Sequence, residues 1–254
     1  MSTQSRRIAL QLWTLRDQLR TAEDVAASFA RVREIGYEHL ELAGPGPVST
    51  AELKRLAVAS GLGICGAHWP GGELVEQTAK VADTVSELGC RYVAYAYPHV
   101  PLDSLDTVYR LADDLSRVGE MLRSRGQLLT YHNHALEFRK LGGKAILDIL
   151  YERMDPVMVH GELDTYWVQA GGADPAGYCA RLSGRLPLVH LKDYAITQSD
   201  EPTMAALGEG NLSFPTILRE AESAGCEWFI VEQERGFTDP FTAIATSLRY
   251  LKSL

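Results

Sequence analysis

The side chains able to do chemistry gather at four places in this chain, each the end of a short apolar run. Leu128 to Phe138 reads Leu-Leu-Thr-Tyr-His-Asn-His-Ala-Leu-Glu-Phe and closes on His132, Asn133 and His134, with Glu137 just beyond. Val157 to Asp164 ends in Glu162 and Asp164, Leu186 to Asp193 in His190, Lys192 and Asp193, and Trp228 to Glu234 in Glu232 and Glu234. Runs of this length and apolarity fit buried strands, and a strand that turns polar only at its C-terminal end is what the mouth of a parallel α/β barrel shows. Two imidazoles and two carboxylates from four successive strands point to a divalent cation, because carboxylates crowded together without one would in part stay protonated. The expected ligand set is His132, Asp164, His190 and Glu232. Its mixed nitrogen and oxygen shell suits one divalent ion, manganese ahead of cobalt, iron or zinc, with magnesium last.

The elements that must hold these residues are legible as an alternation. Strands are expected near Arg7–Trp13, Glu38–Ala43, Leu62–His68, Arg91–Tyr97, Gln127–Asn133, Val157–Asp164, Leu186–Leu191 and Glu227–Glu232. Between them lie stretches with apolar residues at i, i+3 and i+4, such as Leu74–Leu88, Leu102–Arg123 and the helix that Thr21 caps and Gly36 closes after Ile35. Eight strands, each followed by a helix, predict one (β/α)8 TIM barrel over residues 1–254, with residues 1–6 as a loose tail. A doubly wound sheet would want a Gly-rich phosphate turn after its first strand, and none is seen there. Gly44-Pro45-Gly46-Pro47 follows the second strand, but its prolines remove the N–H donors that a phosphate cradle needs. Tyr194–Asn211 and Gln233–Asp239 are expected as mouth loops that help cover a ligand.

Composition narrows the partners. The chain has 254 residues, 46% hydrophobic and 23% charged, and 25 Lys and Arg against 33 Asp and Glu give a formal charge of −8, which opposes nucleic-acid binding. No apolar run is long enough to span a membrane and the start is polar, so a cytoplasmic protein with no membrane partner is expected. Cys65, Cys90, Cys179 and Cys226 form no paired motif and read as free buried thiols. The expected partner is a small molecule, and a homo-oligomer is left open.

The order of motifs carries a resemblance over essentially the whole chain. Leu10-Gln-Leu-Trp13, Glu38-His-Leu-Glu41, the polar end of strand five, Glu162-Leu-Asp-Thr-Tyr-Trp167, Val189-His-Leu-Lys-Asp193, Gly208-Glu-Gly210 and Ile230-Val-Glu-Gln233 resemble the sugar phosphate isomerase/epimerase family with the xylose-isomerase-like TIM barrel, which includes ketohexose 3-epimerases and inosose dehydratases. In such epimerases one metal is held by Glu, Asp, His and Glu from strands five to eight. Asp164, His190 and Glu232 match the last three places, and His132 stands where the family has the first Glu. Trp167 falls where many relatives carry a His, and would form an apolar wall against a sugar ring.

The resemblance implies a metal-dependent isomerase or epimerase of a sugar or keto-sugar, acting by proton abstraction next to a carbonyl through a metal-held enediolate. Glu232 is the expected base, with His134, Glu137 or Glu162 as the second acid or base and Lys192 holding a developing oxyanion. Glu41, His68, Glu137, Trp13 and Trp167 are expected at the substrate. A ligated imidazole is a poor proton shuttle, so His132 in place of Glu keeps a lyase or dehydratase as the alternative. An apurinic-site endonuclease-like phosphodiesterase ranks behind both, because of the negative charge and Trp167. A silent binding barrel would be expected to lack Asp164, His190 or Glu232. His39 and His160 are expected to be structural, and Trp69, Tyr95 and Tyr97 to pack.

Overall fold

The computed structural model describes residues 6–254. Eight strands form a closed barrel: β1 (Ile8–Gln11), β2 (His39–Leu42), β3 (Gly63–Trp69), β4 (Tyr92–Tyr95), β5 (Leu128–His132), β6 (Val159–Asp164), β7 (Leu188–Leu191) and β8 (Trp228–Val231). Every neighbouring pair is parallel, and β8 closes on β1 with Ala9 opposite Ile230. The expected TIM barrel is therefore present, strand for strand. The loose tail expected over residues 1–6 lies outside the described residues apart from Arg6, whose guanidinium meets Glu222 at 2.5 Å.

The helix Ala22–Ile35 begins and ends as its sequence requires. Thr21 and Asp24 form a capping box, and Gly36 at φ 111° supplies the left-handed residue that turns the chain toward β2. The helix expected over Leu74–Leu88 is two helices, Gly71–Glu76 and Thr78–Leu88, because Gln77 leaves helical geometry at φ −126° and ψ 34°. The helix expected from Leu102 starts at Leu105, where the Ser104 hydroxyl accepts from Thr107 N. The expected loop Tyr194–Asn211 is built on a hairpin that pairs Asp193–Ile196 with Pro202–Ala205. Among the described residues no helix is long and apolar enough to cross a membrane.

Side chains alternate between the barrel lumen and the helix layer. Near the N-terminal ends of the strands the lumen is filled by Ala9, Cys65, Tyr92, Leu188, Trp228 and Ile230. The outward residues, among them Leu10, Leu40, Val93, Leu129, Leu163, Val189 and Val231, join the surrounding helices in the main apolar core. One irregularity matters for the site: between β2 and β3 the register slips, with Leu40 opposite Ile64 but Glu41 opposite Gly66. The extra residue, Cys65, resets the phase of β3, so that Ala67 and Trp69 join the outer core while His68 turns toward the carboxylates of the lumen. Space beside it at Gly66 is tight, since a Cβ there would lie 3.1 Å from Glu41 Oε1 and 3.2 Å from Tyr92 Cβ.

Candidate active site

Above the apolar filling, the same inward positions carry Gln11, Glu41, His68, Thr130, His132, Glu162, Asp164 and His190, all buried, with Lys192 and Glu232 one residue past the ends of β7 and β8. His190 is the centre of this layer. Its Nδ1 lies 2.8 Å from Glu232 Oε2, and its Nε2 lies 2.7 Å from Glu41 Oε2 and 2.9 Å from Glu162 Oε1. Both ring nitrogens face carboxylates, which calls for a proton on each. Burial alone would lower the imidazole pKa, but Glu41, Glu162 and Glu232 hold it well above the ordinary value.

His68 repeats this arrangement on the other side of the Glu162 carboxylate. Its Nε2 is 2.6 Å from Glu162 Oε1 and 3.3 Å from Glu41 Oε2. Burial opposes its charge, yet the same two carboxylates push its pKa up to about 9. Glu162 in turn accepts from the Thr130 hydroxyl at 2.7 Å, and the surrounding imidazoles overcome burial to hold it well below the usual carboxylate range. Gln11 Nε2 donates to Glu41 at 2.8 Å.

Lys192 closes the layer toward solvent. Its ammonium is buried and lies 2.9 Å from Asp164 Oδ2, 2.9 Å from Glu232 Oε2 and 2.5 Å from Glu234 Oε1. Burial acts to lower its pKa, and the three carboxylates raise it instead. The ammonium reaches sideways to β6 and past the end of β8. Burial pushes the Asp164 carboxyl up to about 6 although Lys192 and His190 pull it down. Burial likewise acts against ionised Glu232, but Lys192 and His190 hold its pKa far below the ordinary value.

The residues fit a divalent ion. His132, Asp164, His190 and Glu232 place one ligand atom each within 4.8 Å of one another, and His68, His132, Glu162 and His190 form an overlapping second set. His132 and Asp164 carry the signs of unfilled coordination. The Oδ2 of Asp164 is buried without an aligned hydrogen bond, Lys192 meeting it as an ion pair, and His132 turns Nε2 to it at 3.7 Å while its own buried, unpartnered Nδ1 lies 3.6 Å from Glu162 Oε1. Burial and the charge of His190 keep His132 neutral, as a ligand must be. To serve as a ligand His190 must give up the proton that its Nδ1 holds toward Glu232, keeping Nε2–H for Glu41, the outer carboxylate that orients such a ligand.

The expected substrate residues divide. Trp167 and His134 meet at a tilt of 41° with 5.4 Å between ring centroids, and Tyr97 meets His134 at 4.8 Å, forming one aromatic side of the mouth. Tyr97 is exposed rather than packed, a departure from its expected role, whereas Tyr95 and Trp69 are buried as expected. Trp13 stands at the rim, 45% exposed, with Arg16 over its ring at 5.2 Å. His134 Nδ1, Trp167 Nε1 and Asn133 Nδ2 are buried and unpartnered, a set of polar atoms suited to a hydroxyl-rich ligand. Glu137 is not part of this set. It is fully buried, accepting from Tyr131 OH at 3.0 Å and His134 N at 2.9 Å, and burial raises its pKa to about 7, so it fixes the turn that carries His134. His134 itself is driven down to about 3 by burial and by Lys192.

His99, just past the end of β4, hangs on Tyr95 OH at 2.8 Å. His39 packs edge-on against Trp228. Glu234, named from sequence at the end of its run but given no role, belongs to the network, and so does Thr130, which was not singled out although it lies two residues before His132 on the same strand face. The mouth loop after β7 is seated by a single side chain: Asp193 accepts from the backbone N–H groups of Tyr194, Gly208, Gly210 and Leu212 at 2.9–3.1 Å. A Cβ on Gly210 would lie 2.5 Å from that carboxylate.

Residues 29–254 match the family model described as Xylose isomerase-like TIM barrel. The chain is 25% identical over 260 residues to an inosose dehydratase of Geobacillus thermodenitrificans, covering 85% of each, and 26% identical over 251 residues to the rhizopine catabolism protein MocC of Rhizobium meliloti, covering 81% of this chain and 73% of that one. Among solved structures, a sugar phosphate isomerase/epimerase from Parabacteroides distasonis superposes with a TM-score of 0.86 at 24% identity over 98% of this chain and 99% of that one. An L-ribulose 3-epimerase superposes with a TM-score of 0.75 at 18% identity, covering 98% and 94%. At these identities the superpositions show the fold.

Proposed function

The chain belongs to the xylose isomerase-like TIM-barrel family, and on that premise we propose that it is a metal-dependent enzyme that abstracts the proton next to a carbonyl of a keto-sugar or cyclic keto-polyol and eliminates water. The observation that carries this reading is a pair of groups held in opposite proton states on two sides of one imidazole. Glu232 is an ionised carboxylate 2.8 Å from His190 Nδ1, and His68, its ring centroid 5.1 Å from that of His190, is an imidazolium on Glu162. Environments that push two titratable groups apart in this way assign the acid and the base.

A divalent ion at His132, Asp164, His190 and Glu232 would supply Lewis acidity to the carbonyl. The rest falls to the chain. Glu232 takes the α-proton, and the C–H electron pair moves through the enolate to form the new carbon–carbon double bond. The β-hydroxyl leaves as the His68 imidazolium gives it a proton, so that water departs with the oxygen. Glu162 and Glu41 keep His68 charged until then, and solvent returns its proton afterwards. Trp167, His134 and Trp13 bound the ring, with the unpartnered donors of His134, Trp167 and Asn133 facing its hydroxyls.

Isomerisation or epimerisation, the first expectation from sequence, begins with the same abstraction. It differs in needing a proton returned to carbon, and the first-place Glu that serves this in ketohexose 3-epimerases is His132 here, held neutral. The names of the curated relatives support dehydration.

The test is the fate of one proton. With manganese and an inosose in heavy water, the enzyme should generate the ultraviolet absorption of an unsaturated ketone. His68→Asn should slow that absorption by about 10²-fold or more while leaving deuterium exchange at the α-carbon, and Glu232→Gln should remove both. Exchange in the wild type with no unsaturated product across a panel of keto-sugars and keto-polyols would return the reading to epimerisation.

A further inference from the structure

We propose that Glu234 is the holding place of the Lys192 ammonium, drawing it off Asp164 and Glu232 when a divalent ion takes those two carboxylates, and so setting the affinity of the site for metal. The inference rests on the metal reading above and concerns a residue outside the proposed ligand set.

Asp164 has one oxygen to offer a cation. Its Oδ1 is the helix cap that accepts from Trp167 N at 2.9 Å, which leaves Oδ2, and Oδ2 is the atom that Lys192 Nζ approaches to 2.9 Å. The same ammonium lies 2.9 Å from Oε2 of Glu232, the oxygen shared with His190. Lys192 therefore sits on two of the four expected ligands, and a divalent ion bound there would face a unit positive charge at close range in a water-poor site. The ammonium must be shared or moved.

The surroundings allow only its far end to move. The Lys192 backbone is fixed on both sides by Thr165, whose hydroxyl donates to Lys192 O at 2.8 Å and accepts from Lys192 N at 2.9 Å. The aliphatic stem is buried, and the ammonium lies 5.9 Å from the Trp167 ring centroid. Glu234 Oε1 is already at 2.5 Å, the shortest of the three contacts, so a small rotation completes the transfer. Glu234 is also the partner suited to keep the charge. Its side chain is 22% exposed against 0% and 4% for Asp164 and Glu232, so its carboxylate retains water. Its backbone is anchored by Arg16 Nη2 on its carbonyl at 2.9 Å and by its N–H donating to Met204 Sδ at 3.3 Å.

Titrating metal-free protein with Mn²⁺, following free Mn²⁺ by electron paramagnetic resonance, tests the proposal without reference to catalysis. Glu234→Gln should weaken Mn²⁺ binding about tenfold, because Lys192 then rests wholly on Asp164 and Glu232. Lys192→Met should tighten it by a similar factor, with Lys192→Gln as the second variant should the first fail to fold. In either Lys192 background, Glu234→Gln should change affinity by less than twofold. An unchanged affinity in Glu234→Gln, or an equal loss with and without Lys192, would overturn the proposal, the latter showing that Glu234 attracts metal only by its own charge. Wild type that binds no Mn²⁺ while Lys192→Met does would overturn it, because Glu234 would then have failed to draw the ammonium away. Absence of binding in every variant would overturn the metal reading and this one with it, whereas binding that no variant alters overturns this one alone.

Discussion

At its N-terminal end the barrel lumen holds Ala9, Cys65, Tyr92, Leu188, Trp228 and Ile230, whereas further along the barrel it holds Gln11, Glu41, Thr130, Glu162, His190 and Glu232. Both fillings are buried, and they are stabilised differently. An apolar side chain at the lower end contributes through the area it removes from water, largely whatever its neighbours are. A charge at the upper end is tolerable only through partners: His190 with Glu41, Glu162 and Glu232, and Lys192 with Asp164, Glu232 and Glu234. Substitutions should then add at one end and couple at the other.

The comparison would break first at Leu188. Leu188→Ala leaves a cavity in the apolar layer and should cost about 2–5 kcal/mol of unfolding free energy in denaturant, while Mn²⁺ affinity shifts less than twofold. A large change in metal binding with little loss of stability would mean that the two layers do not act separately.

Glu137 sharpens it next, as a buried carboxyl on which burial outweighs the pull of Arg139. A pKa raised from 4.5 to about 7 means that the folded state holds the proton more tightly. The stability this confers is complete below about pH 4.5 and lost as pH rises through 7, amounting to at most about 3 kcal/mol. Glu137→Gln should flatten that part of the stability profile, and a variant that keeps the same slope between pH 4.5 and 7 would locate the titration elsewhere. The smallest effect belongs to the rim. Trp13→Ala should raise KM several-fold, about 1 kcal/mol of binding, with the melting temperature nearly unchanged. A melting shift with unaltered kinetics would make Trp13 a packing residue.

The eight strands were readable because each pairs an apolar run with a polar C-terminal end, and that pattern is local. His132, Asp164 and His190 followed from their place at the polar ends of the runs that became β5, β6 and β7. What could not be read depended on other strands. The slip at Cys65 that aims His68 inward is defined only by the pairing of β3 with β2. The partners of Lys192 lie on β6 and beyond β8, and side-chain reach across a barrel is not encoded in spacing along one strand. The break at Gln77 was hidden because apolar spacing continues through it. Glu137 is different, since a polar residue followed three places later by Glu is a readable cap, here masked by the histidines before it.

The single carboxylate that seats the loop after β7 also has an evolutionary reading. Because the N–H groups of Tyr194, Gly208, Gly210 and Leu212 all converge on Asp193, both feet of the excursion are fastened to one point on the scaffold. The hairpin between them, Asp193–Ile196 with Pro202–Ala205, carries none of that fastening except at its first residues. Its tip can lengthen, shorten or change composition while the neighbouring Lys192 keeps its place, so selection can remodel what a ligand meets at the mouth as an exchangeable cassette.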